Sequence, residues 1–147
     1  METTLDTIHS PSSSASSPSP STPARRGRWG GRLVTGVPVL FLAFDVAIKL
    51  VDPPMVAQAS AQLGLPAGLS LSIGILLAAC LALYLVPRTA PLGAVLLTGY
   101  LGGAVLTHLR VGDPLLSHTL FPIYVGALLW TGLYLRDDRV KRLLAPR

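Results

Sequence analysis

Residues 67–86 read AGLSLSIGILLAACLALYLV, twenty residues with no Asp, Glu, Lys or Arg among them. A helix of that length rises about 30 Å, which matches the roughly 30 Å of bilayer hydrocarbon. A helix on the surface of a soluble bundle keeps a polar stripe for water, and this run has none. Membrane β-strands take about 9–11 residues and alternate in character, whereas this run is twice as long and apolar on every face. In lipid every backbone N–H and C=O must be satisfied within its own element, which a helix does unaided. The stretch therefore predicts a transmembrane helix.

Working outward, three more runs have the same character. Residues 33–51 form a nineteen-residue run interrupted only by Asp45 and Lys49. Residues 91–109 form another of nineteen, with His108 near its end, and residues 118–135 form one of eighteen. Each is long enough to cross with modest bilayer thinning. The punctuation agrees: Asp52-Pro53-Pro54 closes the first run, Pro87 closes the second, and Pro91 opens the third, where a missing N–H costs little. Gly112-Asp113-Pro114 marks a turn before the fourth run. Pro38 and Pro122 fall inside runs one and four and predict kinks that neighbouring helices repair. The expected fold is all-α: an integral membrane four-helix bundle over 33–136, with a disordered Ser/Pro-rich tail over 1–32 and a basic C-terminal tail over 137–147.

The N-terminal tail holds sixteen Ser, Thr or Pro residues within positions 1–24, and no Lys or Arg. It cannot bury enough surface to offset its ordering entropy, and it lacks the charged and apolar regions of a secretory signal. Half of the whole chain is apolar and only 13% is charged, against about 25% charged in a soluble domain. Mean hydropathy is +0.56. These values argue against a cytosolic enzyme. A single cysteine, Cys80, excludes an intrachain disulfide and any multi-thiolate metal site; in its apolar run it reads as a buried small hydrophobe.

The net charge of +5 becomes a topology signal once its carriers are located. Arg25, Arg26, Arg28, Arg32, Arg88, Arg136, Arg139, Lys141, Arg142 and Arg147 would all lie on one side of the membrane. The opposite side would hold Arg110 alone, and Lys49 lies within a span. This bias predicts that both termini are cytoplasmic. The basic clusters read as contacts to lipid headgroups rather than nucleic acid. Trp29, Trp130 and Tyr134 fit an aromatic belt on that same side.

Two further patterns bear on packing and chemistry. Gly99 and Gly103, with Gly102 between them, form GxxxG, a spacing that lets helix backbones approach; packing within the bundle is the expected use, and homodimerisation is the alternative. Charges inside a membrane are costly and mark candidate sites. Asp45 and Lys49 stand four apart on one helix face. With alternating helix directions, they share the outer membrane level with His108, Arg110, His118 and, deeper, Tyr124. These six are the candidate ligand-binding residues, lining an outward-facing pocket. The bland reading is a structural ion pair beside ordinary polar helix ends. His108, His118 and Asp45 are metal-ligand types without a tight spacing motif, so no metal is expected. No GxSxG, P-loop, HExxH or dinucleotide fingerprint occurs, and catalytic residues stay unassigned.

Three segments together resemble a known family: FLAFDVAIKL (41–50), LYLVPRTAPLGAVLLTGYLGGAVLTHLRVGDP (83–114) and LLWTGLYLR (128–136). Their pattern is a phenylalanine-led first helix ending in Lys49, the Val86-Pro87-Arg88-Thr89 turn, then Gly93. The densest match is Thr98-Gly99-Tyr100-Leu101-Gly102-Gly103-Ala104, followed by His108 and the run Trp130 to Arg136. The chain is similar to the DoxX-like small bacterial membrane proteins. That resemblance implies a four-helix, multi-pass protein of the bacterial inner membrane. The wider DoxX and DoxD relatives include a subunit linked to thiosulfate:quinone oxidoreduction and others associated with redox defence. Quinone is the one cofactor it brings into view; no catalytic motif transfers residue by residue, and this chain has no cysteine pair. Two function classes follow. The first is a non-catalytic accessory or binding component of a membrane assembly, with lipids, further subunits or a second copy as partners. The second is a quinone-associated redox subunit, in which Asp45 and Lys49 orient a carbonyl and His108 and His118 move protons. A transporter is a weaker third option.

Overall fold

The computed structural model describes residues 23–144. Among the described residues there is no strand, and the elements are α1 (Pro23–Val51), α2 (Pro54–Gln62), α3 (Leu69–Leu85), α4 (Ala90–Val111), α5 (Phe121–Arg136) and α6 (Asp138–Leu144). A π-helical turn, Leu115–Thr119, precedes α5. The four long helices form a ring in which α1 packs on α3 and α5, and α4 packs on α3 and α5. Most of the expected disordered tail, residues 1–22, lies outside the described residues.

The exterior of the ring is apolar. Leu33, Phe44, Ile75, Val95 and Leu106 are each more than half exposed. Of the Leu33–Val51 window only 17% is buried. A belt of this kind would drive association in water, while in lipid it is the face that meets solvent. Three segments are long and apolar enough to cross: Leu33–Val51, Ala90–Val111 and Leu115–Arg136. The run 67–86 yields a shorter helix than its sequence suggests, because Gly68 stands at the start of α3 with φ 79°. Glycine adopts that left-handed backbone at little cost, and it stops a helix from extending backwards. The seventeen residues of α3 rise about 25 Å. They still join the two levels of the bundle: Gly74 meets Lys49 at one end, and Tyr84 meets Leu129 at the other.

Several boundaries differ from the sequence reading. α1 begins at Pro23, ten residues ahead of the apolar run. Its early turns are held by a tertiary contact: a Cβ on Gly31 would sit 2.9 Å from Leu135 Cβ. The 52–66 connection contains α2, started by Pro53 and Pro54. Pro122 occupies the first turn of α5, where no N–H is needed, so the kink expected there is replaced by the π-helical turn. Pro38 does lie within α1, buried. Part of the expected C-terminal tail is helical: Asp137 Oδ1 accepts from the Arg139 backbone N–H at 2.9 Å, and Val140 is buried.

The core is tightest at the end that carries both termini. Tyr84 is fully buried, and its hydroxyl donates to the Leu129 carbonyl at 2.7 Å. The Arg136 guanidinium lies 4.7 Å from the centre of the Tyr84 ring and donates to the Tyr84 carbonyl at 3.2 Å. Glycines make this closeness possible. Gly93 lets α4 touch the backbone of Tyr84, and Gly132 lets α5 touch Thr35. The GxxxG glycines do not do this work: a Cβ on Gly99, Gly102 or Gly103 would meet no atom within 4 Å. The expectation that they pack inside the bundle is corrected, since their missing side chains face open space. In the aromatic belt, Tyr134 is exposed, and the half-buried Trp130 donates to Thr98 Oγ1 at 2.9 Å, joining α5 to α4.

Candidate functional site

Toward the end of the bundle away from the termini, a cavity of about 720 Å³ lies between the helices. Small-molecule sites commonly hold about 300–1,000 Å³. Each helix supplies one wall by helical periodicity. α1 presents Phe41, Asp45 and Lys49, one turn apart along one face. α4 presents Tyr100, Ala104 and His108 at i, i+4, i+8. α3 contributes Cys80, buried as its apolar setting predicts, and α5 contributes Phe121. Leu63 and Leu65 of the α2–α3 loop close the top.

The polar groups gather toward that top. Lys49 Nζ is paired with Asp45 Oδ1, each side chain about one-fifth exposed. The Tyr100 side chain neighbours the Asp45 carboxylate. His108 Nδ1 lies 2.6 Å from Asp113 Oδ2. When Asp113 accepts from Nδ1–H, Nε2 becomes the atom with which the ring can accept or donate elsewhere. Thr107 also lines the wall, but its hydroxyl donates to the Gly103 carbonyl at 2.8 Å and is occupied by its own helix.

Of the six residues proposed from sequence, Asp45, Lys49 and His108 line the cavity and the other three do not. Arg110 reaches across to donate to the Leu63 carbonyl, tying the α2–α3 loop to α4. Its guanidinium also lies against Gly64. His118 is exposed and hydrogen-bonded to Ser117 Oγ at 2.8 Å, with its ring centroid 6.1 Å from that of His108. The π-helical turn sets that position: Leu120 N–H donates to the Leu115 carbonyl at 2.8 Å, one residue beyond α-helical register. Tyr124 lies half-exposed on α5. Among the described residues no group of three His, Cys, Asp or Glu side chains is placed to hold a metal ion.

Sequence reasoning missed Tyr100, Phe41 and Phe121 as parts of this site; Asp113, which the sequence puts in the loop at the same membrane level, joins it through His108. Tyr100 was detectable, because it stands two turns before His108 on one helix face. The aromatic pair was not. Phe41 and Phe121 meet edge to face at 5.1 Å between ring centroids, across helices α1 and α5.

The model of the DoxX-like family matches residues 33–132, which takes in every wall of this cavity. The chain belongs to the DoxX-like family. No curated protein and no solved structure matches it. This DoxX-like chain is thus a membrane protein whose helices are long and apolar enough to span, and whose cavity lies wholly inside the family region.

Proposed function

We propose that this DoxX-like chain is a non-catalytic binding component of a bacterial inner-membrane assembly, and that its cavity holds a lipid-soluble molecule with a carbonyl-bearing head. The carrying observation is the cavity of about 720 Å³ whose apolar body ends in Lys49, Asp45, Tyr100 and His108. An ammonium has three N–H donors, and Asp45 engages one oxygen with Lys49. The remaining donors can meet a carbonyl oxygen, and in an apolar surround each such bond is stronger than in water. A quinone, two carbonyls on a flat apolar ring, has this chemistry. Ubiquinone and menaquinone binding to the purified protein tests it. Lys49→Ala and His108→Ala should each weaken binding about tenfold or more. A parent protein that binds neither quinone, or two variants that bind as the parent does, would sink the reading.

The His108–Asp113 pair favours one second reading, a quinone-associated redox subunit. Reduction of a quinone to a quinol takes two electrons and two protons. His108 would pass one proton to each carbonyl oxygen in turn, regaining a proton from water after each transfer, while Asp113 steadies the ring; the two electrons would come from a reduced flavin, haem or iron–sulfur centre of a partner subunit, which is oxidised in the step. In native membranes this reading expects His108→Ala to slow quinone reduction while binding survives. The binding reading expects binding itself to fall.

The positional bias of the basic residues supports cytoplasmic placement of both termini. Alkaline phosphatase fused after Arg147 should then be inactive, and green fluorescent protein fused there should fluoresce. The reverse pattern would overturn the placement.

A further inference from the structure

We infer that the cavity is entered sideways from the bilayer, through a gap between α3 and α4 at the level of Gly99 and Gly103, and that its ligand keeps an apolar tail in that gap. The inference rests on the binding reading above and adds a route and a ligand class: an amphiphile with a polar head and a long apolar chain.

Three of the four seams around the cavity are each bridged by a close contact. Between α1 and α3, a Cβ on Gly74 would lie 2.9 Å from Lys49 Cβ. Between α1 and α5, Phe41 and Phe121 meet edge to face. Between α4 and α5, the buried Leu101 reaches the Gly126 position, 3.5 Å from where its Cβ would stand. The loop above is tied down by the Arg110 bond to Leu63. In the fourth seam, between α3 and α4, the closest backbone approach is at the termini end, where Gly93 touches Tyr84.

Further along that seam stand the most exposed apolar side chains of the cavity lining. Leu76 of α3 is 56% exposed and Val95 of α4 is 57% exposed, more open than Phe41 and Phe121, which are 42% and 40% exposed but packed on each other. Leu96 of α4, beside Val95, is 41% exposed. Gly99 and Gly103 line the same wall, are exposed, and would have open space around an added Cβ. A side chain at either position would stand in the opening. The mouth is ringed by apolar groups, and the charged pair lies beyond it. A headgroup in water would have to cross lipid to reach such a mouth, whereas a molecule already dissolved in the membrane meets it directly.

The test compares two probes, decylubiquinone and the same ring without a tail, on the purified parent protein and on Gly99→Phe, Gly103→Phe and Gly102→Phe. Gly102 faces the α4–α5 groove and is the control. Gly99→Phe and Gly103→Phe should weaken decylubiquinone binding about tenfold, with tail-less binding and Gly102→Phe unchanged. A second measurement avoids substitution altogether: a decylubiquinone carrying a diazirine on its tail should crosslink the parent protein at Leu76, Val95 or Leu96. Equal binding in all three glycine variants, or crosslinks confined to α1 and α5, would overturn the side entrance while leaving the binding reading intact. Failure of both probes to bind the parent would overturn the binding reading, and the entrance with it.

Discussion

Gly93→Ala is expected to lower the stability of the bundle by about 3 kcal/mol, the upper part of the usual range for overpacking. The added Cβ would stand 2.3 Å from Tyr84 N, 2.5 Å from Tyr84 Cα and 2.8 Å from the Leu83 carbonyl carbon. All three are backbone atoms, so no side chain can swing aside. The hairpin between α3 and α4 cannot yield locally either. Thr89 Oγ1 donates to the Leu83 carbonyl at 2.8 Å, and Gly93 N–H donates to the Thr89 carbonyl at 2.9 Å. The helices must separate, which loosens the packing of the fully buried Tyr84. Cys80, buried and the only thiol, provides the measurement: a thiol-reactive dye reports its exposure as the detergent-solubilised protein is heated. Gly93→Ala should expose it roughly 10 °C earlier. Gly102→Ala, with open space around it, should melt at or slightly above the parent, because alanine is the better helix former by about 1 kcal/mol. Equal melting of the two variants would refute the close contact as the reason for glycine at position 93.

The second large effect concerns the intramembrane ion pair. Lys49→Leu leaves the Asp45 carboxylate without its ammonium partner. Breaking one side of a partly buried pair costs about 3–5 kcal/mol in the buried limit, and a lone carboxylate in a span costs about 2.5–3.5 kcal/mol on insertion scales. Asp45→Leu should cost less, because the lysine stands near the end of α1 and can extend to the interface. The double variant Asp45→Leu/Lys49→Leu should recover most of the lost stability, since apolar residues there suit the surroundings better than either charge alone. It should not recover quinone binding. The two residues are coupled, so their effects on melting should fall well short of additivity. A double variant as unstable as the sum of the singles would show that the pair is not a unit. A stable double variant that still binds quinone like the parent would remove these residues from the site.

The GxxxG segment shows how a sequence pattern can be read correctly as special and wrongly in its use. Small residues at this spacing allow close backbones, but the pattern does not say which helix, if any, comes close. Here the glycines that permit the closest approach are Gly93 and Gly132, which lie outside that GxxxG. Gly99 and Gly103 leave a wall of the cavity bare instead. Arg110 is similar. Its place beside polar neighbours in the chain suggested a ligand, but its bond is to the Leu63 carbonyl, forty-seven residues away.

The chain alone determined the parts set by local composition. Uncharged runs of membrane length, Pro and Gly at their ends, and Asp45 one helical turn from Lys49 follow from backbone satisfaction in lipid and from helix periodicity. These act over a few residues and are visible in any window. The tertiary structure decided which faces meet: that Phe41 finds Phe121, that Tyr100 joins Asp45 and His108 at one cavity, and that Tyr124 does not. In a bilayer every face of such a helix is apolar, so hydrophobicity cannot choose a partner for it. Shape chooses instead, through the depth of a glycine or the edge of an aromatic ring.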